Sequence, residues 1–177
     1  MKFLKYFLGI LFCNALRFLR FIPNNDPIMG FMLPFSRQGK WWQGALFALL
    51  AMVSFDFITM KVGLWTLVTA LTYAGLGVMF HFAYKRIGKV KLKHYLGSGV
   101  AGVLIFDFVT GVLFGPAMFG MSFLQAFVGQ IPFTAMHLLT VTFFILLLTP
   151  LLDRTIVSNP LLEDSAVLNR IKLLARA

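Results

Sequence analysis

The sequence predicts an all-α integral membrane protein of six transmembrane helices, the first two short or irregular, with the N- and C-termini cytoplasmic. Three observations lead there. First, 59% of the 177 residues are hydrophobic and only 12% are charged, with a mean hydropathy of +0.86. Soluble domains carry about 25% charged residues, so this surface is too apolar to face water on all sides. Second, four apolar runs (41–60, 62–84, 94–114 and 132–152) each hold the roughly 20 residues that cross a bilayer. Third, the cations segregate to one side once those runs are threaded through a membrane. Together these exclude a soluble enzyme. A chain this short also leaves no room for an extramembrane catalytic domain of ordinary size beside six spans.

Taken in order, the first segment is the most ambiguous. Lys5 and Arg17 enclose 11 uncharged residues, so spanning requires both cations to snorkel. On a helical wheel Lys2, Lys5, Arg17 and Arg20 fall within an arc of about 120°, which equally suits a helix lying in the interface. Lys2 and Lys5 precede an apolar run as in a signal peptide, but no A-x-A-like site follows, and the segment is expected to be retained. The stretch 25–38 contains Pro27 and Pro34 and reads as a broken or tightly packed helix. The four long runs supply the remaining spans. Residues 115–131 form an outer segment, and 132–152 the last helix. Residues 1–152 thus make one membrane domain, and 153–177 a cytoplasmic tail. Within that tail, 160–176 reads as an amphipathic helix on the membrane surface: Ser158 and Asn159 can cap it, and Glu163 and Asp164 suit its positive end.

Charge sets the orientation. Lys85, Arg86, Lys89, Lys91 and Lys93 form the densest basic loop, which belongs in the cytoplasm. Of the 16 Lys and Arg, only Arg17, Arg20 and Lys61 then lie outside. The net charge of +10 follows from this anchoring, and no nucleic-acid partner is expected. The single Cys13 excludes an internal disulfide and thiolate metal clusters.

Polar residues gather on the outer side. Phe55-Asp56-Phe57-Ile58-Thr59 recurs 51 residues later as Phe106-Asp107-Phe108-Val109-Thr110, placing two carboxylates in the outer half of the membrane. Internal duplication is a habit of small-molecule transport proteins. Ionisable groups there are costly unless paired or hydrated, so Asp56 and Asp107 either line a ligand pocket or pair with outer cations. Arg20, Asn24 and Asn25 join Asp26 at the first outer turn. Lys61 and Trp65 follow at the second, Ser122, Gln125 and Gln130 at the third, and Thr134 and His137 open the last helix. Trp65 belongs to an aromatic belt or stacks on a planar ligand, and His137 is an interfacial hydrogen-bonding group or a ligand contact. The inner halves of the helices are almost wholly apolar. That pattern describes a cup open to the outside, without the midplane polar path of a channel.

Other chemistry is missing. There is no Gly-x-x-x-x-Gly-Lys-Ser/Thr loop for ATP and no His-Glu-x-x-His. His81, His94 and His137 are too scattered for a metal site. Gly97-Ser98-Gly99 sits at the cytoplasmic side, away from His137, so no nucleophile–base pair is expected. Neither enzyme activity nor a cofactor is expected. Small residues recur as Gly44-x-x-x-Ala48, Ala70-x-x-x-Ala74 and Gly97-x-x-x-Ala101, a pattern that serves close helix packing within the fold or a groove for the helices of a partner.

Over residues 17–152 the sequence resembles the substrate-binding S components of energy-coupling factor (ECF) transporters and related S-component-like membrane families. The resemblance rests on Arg20-x-x-Pro23-Asn24-Asn25-x-Pro27-Ile28 and on the helix ending near Asp56. Gly97-x-x-x-Ala101 leading to Asp107, and Gln130-x-Pro132-Phe133, complete it. It implies a six-helix protein of a prokaryotic cell membrane that captures a vitamin or similar micronutrient from outside. It further implies a separate membrane coupling subunit and two cytoplasmic ATPases as partners. The expected pocket residues are Arg20, Asn24, Asn25, Asp56, Trp65, Asp107, Gln125, Gln130 and His137. Two features depart from the family. Gly9-x-x-x-Cys13 stands where its first helix carries Ala-x-x-x-Ala for docking, and the His-rich N-terminus of metal-transporting members is missing. The alternative is a small membrane scaffold of the cell-shape machinery, with a related helical layout and no small-molecule ligand.

Overall fold

The computed structural model describes residues 4–19 and 24–156. The tail helix expected at 160–176, and Arg20, lie outside the described residues. What is described is helical throughout, with no strand. The elements are α1 (Leu4–Leu19), α2 (Ile28–Gln38), α3 (Gln43–Ile58), α4 (Leu64–Ile87) and α5 (Leu92–Asp107). A wide-wound π-helical segment (Phe108–Phe114) continues α5 directly into α6 (Gly115–Phe119), and α7 (Phe123–Leu152) ends in a 3-10 turn, Arg154–Ile156.

Three of these rods are long and apolar enough to cross a membrane: Leu64–Ile87, Leu92–Phe119 and Phe123–Leu152, of 24, 28 and 30 residues. At 1.5 Å per residue they reach about 36, 42 and 45 Å, against a hydrocarbon core of about 30 Å. The apolar run at 41–60 yields a shorter helix of 16 residues, because Trp41 and Trp42 precede α3 and Thr59 and Met60 close it. That closure is a Schellman pair: the Lys61 N–H donates to the Asp56 carbonyl at 2.8 Å and the Met60 N–H to the Phe57 carbonyl at 3.2 Å. Met60 holds φ +56° at the position where glycine usually stands.

The last helix departs most from expectation. It starts at Phe123 and runs straight through Pro132, so much of the expected outer segment 115–131 is helical. Ser122 caps it, its hydroxyl accepting from the Gln125 N–H at 3.3 Å while the Gln125 side chain accepts from the Ser122 N–H at 2.9 Å. This reciprocal cap outweighs the one backbone donor lost at Pro132.

α2 is the centre of the bundle. Nine of its 11 residues are buried, and α3, α4, α5 and α7 pack around it. Close backbone approach requires glycine at these crossings. A Cβ on Gly44 would stand 2.8 Å from the Ser36 nitrogen, and one on Gly77 would stand 2.7 Å from the Ala45 nitrogen. The core between these helices is apolar and aromatic, with Met29, Met32, Leu33, Phe47 and Phe144 almost completely enclosed. Outward, Phe7, Phe57, Leu71, Leu104 and Leu139 are all exposed, a continuous apolar exterior that suits hydrocarbon rather than water.

The helices alternate in direction, so the bundle has two unlike ends. Among the described residues, Lys5, Arg37, Lys40, Lys85, Arg86, Lys89, Lys91, Lys93 and Arg154 lie at one end, and Arg17 and Lys61 at the other. At the basic end, buried Asp153 joins α2, α5 and the 3-10 turn. Arg37 pairs with it, the Tyr95 hydroxyl donates to it at 2.7 Å and the Thr155 hydroxyl at 2.7 Å. Burial pushes the Asp153 carboxyl up, but the hydrogen bonds from Tyr95, Thr155 and Arg37, with the Arg37 charge, hold it below the usual aspartate range.

Candidate functional site

At the end opposite the basic loops the helices splay around a cavity of about 830 Å³. Its walls are the α1–α2 connection, the starts of α4 and α7, and the end of α5 with the wide-wound segment. Such a volume falls within the range of small-molecule pockets.

The cavity floor is a hydrogen-bonded chain of ionisable groups. Asp26, two residues before α2, accepts the Ile28 N–H on Oδ1 at 2.9 Å, which fixes its carboxylate at the helix start. Its Oδ2 accepts from the Tyr73 hydroxyl of α4 and faces Nε2 of His137 at 3.1 Å. The other ring nitrogen of His137, Nδ1, lies 2.8 Å from Oδ1 of Asp107 on α5. Both ring nitrogens therefore face carboxylates. Two bridging protons shared between one imidazole and two carboxylates leave the trio with one net negative charge, wherever those protons sit. Asp26 faces the cavity, whereas Asp107 is 2% exposed and its Oδ2 has no hydrogen-bond partner.

Aromatic rings form the sides. Trp65 and Phe119 meet at 5.5 Å between centroids across the cavity rim. Tyr73 and Phe106 lie 4.2 Å apart, and Phe106 and Phe133 both meet the His137 ring edge-on. The wide-wound segment shapes the remaining wall. Its i→i+5 turns, which occur often at functional sites, carry Thr110 and Gly111 into the lining. A Cβ at Gly111 would stand 2.5 Å from Cδ of Gln130, so glycine there lets the Gln130 amide pack against the wide-wound segment.

The α1–α2 connection is pinned to α7. Asn24 adopts φ +56°, a left-handed conformation that asparagine tolerates. Its side-chain amide donates to the Phe133 carbonyl at 3.2 Å, and its own carbonyl accepts from the Thr140 hydroxyl at 2.9 Å. Asn25 donates to the Leu16 carbonyl at the end of α1, leaving its Oδ1 buried without a donor.

Of the residues picked out from the sequence, Asn24, Asn25, Trp65, Gln125, Gln130 and His137 share this one cavity. Asp107 stands behind His137 and outside the lining. Asp56 is also outside it, its Oδ2 accepting from the Thr66 hydroxyl at 2.6 Å. Each copy of the Phe-Asp-Phe echo thus has its own partner, a hydroxyl in one case and an imidazole in the other. Arg20 lies outside the described residues. The cavity also takes in Arg17, Asp26, Thr69 and Tyr73, which were not among the expected site residues. Asp26 was legible, since it adjoins Asn24 and Asn25 in the same polar turn. Tyr73 carries no local signal, because it reaches Asp26 across 47 residues of sequence. Among the described residues no His, Cys, Asp and Glu group is arranged to hold a metal.

Compared with protein-family models, curated proteins and solved structures, the chain matches none.

Proposed function

We propose that this chain is the substrate-binding S component of an ECF-type importer, a six-span protein of a prokaryotic cell membrane with both termini cytoplasmic. In this reading it captures a vitamin or related micronutrient from outside. A separate coupling subunit and two cytoplasmic ATPases then drive uptake. The observation that carries the reading is the one-ended cavity. A pocket of about 830 Å³, lined by amides, rings and the Asp26 carboxylate, opens at the end poor in cations. The basic end is closed by the Asp153 cluster and by apolar packing. The positive-inside bias turns the cavity outward. A pocket lined from one end of the bundle suits capture, and the chain's lack of a phosphate-binding loop suits energy supplied by other subunits.

The test is native mass spectrometry on protein purified in mild detergent from cells grown in rich medium. It is paired with proteomics of the co-purified subunits. A retained micronutrient-sized molecule, lost in Gln130→Ala, together with a coupling subunit and ATPases, is the expected result. An empty protein accompanied by cell-shape proteins and no ATPase would overturn the proposal in favour of the scaffold.

A further inference from the structure

The charges around the cavity are unequally satisfied. Asp26, the carboxylate that faces it, already accepts from Tyr73 and from the Ile28 N–H and shares a hydrogen bond with His137. Arg17, in the last turn of α1, also lines the cavity and has no such closure. Its guanidinium carbon lies over the Phe55 ring, 3.9 Å from the centroid, a contact that uses no N–H. It makes no ion pair within 4.0 Å among the described residues, and its Nη1 is buried without an acceptor. A buried guanidinium N–H left unpaired is costly, and a planar fork of donors is suited to a carboxylate. Beside it the buried Oδ1 of Asn25 lacks a donor. Arg17 and Asn25 are thus two cavity-lining residues that leave a donor and an acceptor unused.

Resting on the capture reading above, we infer that the cavity takes a planar monocarboxylate, its anionic group on Arg17 and its ring among Trp65, Phe119 and Phe133. A single guanidinium fork accommodates a single carboxylate. The Asp26–His137–Asp107 trio carries a net negative charge across the same cavity, which disfavours a dianion such as a phosphate ester. The ring system supplies the planar walls, and the ligand's own N–H or O–H meets Asn25. A bland alternative is that Arg17 only balances the trio across the cavity. In that case its loss would change stability and leave ligand charge preference untouched.

The test uses full-length protein in which Trp41→Phe and Trp42→Phe leave Trp65 as the sole tryptophan, so that its emission reports on the cavity. 4-Aminobenzoate, 4-hydroxybenzoate and 6-hydroxynicotinate, each planar with one carboxylate and one N–H or O–H, are titrated beside the corresponding amides. At least one acid is expected to bind tenfold or more tightly than its amide. Arg17→Gln should abolish that preference and Arg17→Lys should restore part of it. A neutral partner that binds as tightly, or a preference that survives Arg17→Gln, would overturn the anion assignment and leave the capture reading standing. No response to any of the six compounds also overturns the planar-carboxylate assignment, and the co-purification experiment then decides the capture reading independently.

Discussion

Asp107→Asn separates a ligand contact from a buried support. In the structure Asp107 Oδ1 shares a hydrogen bond with His137 Nδ1 at 2.8 Å, Oδ2 is buried without a partner, and the residue does not line the cavity. Asparagine preserves the shape and one acceptor but removes the charge. A hydrogen bond to a charged group contributes about 1.5–3 kcal/mol and a neutral one about 0.5–1.5, so the exchange loses roughly 1–1.5 kcal/mol. The new amide nitrogen also points into the space around Oδ2, where nothing accepts from it, at a further cost of about 1–3 kcal/mol. The total is near 3 kcal/mol. For a domain of this size each kcal/mol moves the unfolding midpoint by about 2–4 °C, which gives a fall of about 6–12 °C. Thermal unfolding of purified protein in one detergent, followed by intrinsic fluorescence, measures it. Asp56→Asn serves as the comparison, since its amide oxygen can still accept from Thr66 and its midpoint should fall by less than half as much. Equal midpoints for Asp107→Asn and wild type would refute the reading of Asp107 as a structural partner of His137.

Four further outcomes follow from particular contacts. Met60→Gly should raise stability by about 1 kcal/mol in the same unfolding assay, because an 89% exposed methionine in a left-handed cap gives up strain without giving up packing. Gly44→Ala should cost about 1–3 kcal/mol, since its Cβ would meet the Ser36 nitrogen and Cα at 2.8 and 2.9 Å, and backbone cannot swing aside. Asp153→Asn should lower the midpoint at pH 7. Because the folded-state carboxyl is held below its ordinary value of 3.8, the wild-type advantage is complete above that pH and disappears as the pH falls below it. A pH titration of both proteins checks the convergence. Cys13, which is fully buried between α1 and its neighbours, should resist N-ethylmaleimide in the folded protein and react once detergent-denatured, as mass spectrometry will read.

The helical bundle was legible because the long rods are governed by hydropathy, which is local. α4 and the α5–α6 rod fall where the apolar runs fall. The start of α7 was misplaced by nine residues because Pro132 reads as a helix opening. The better signal was Ser122-Phe123-Leu124-Gln125, a capping box that outweighs an internal proline once neighbouring helices support it. The candidate site was legible as a polar end of the bundle, since Trp65, Gln125, Gln130 and His137 reach one cavity from separate outer turns. Its internal wiring was not. The Asp56 and Asp107 copies look equivalent in sequence, and nothing within five residues reveals that one meets Thr66 and the other His137. The contacts that set the floor join Asp26 to Tyr73, and His137 to both Asp26 and Asp107, across 30 to 111 residues. Long-range pairings of this kind depend on how the helices rotate against one another, which a 3.6-residue period leaves open.

The wide-wound stretch 108–114 gives the cavity a way to change size that needs no substitution. A turn closed i→i+5 holds one residue more than an α-turn while the helix beyond it keeps its course. A chain one residue shorter there can wind as unbroken α-helix, still deliver Phe119 to Trp65 and draw Thr110 and Gly111 back from the opening. Length variation confined to this stretch would therefore reshape the cavity, leaving the Asp26–His137–Asp107 floor and the rim in place.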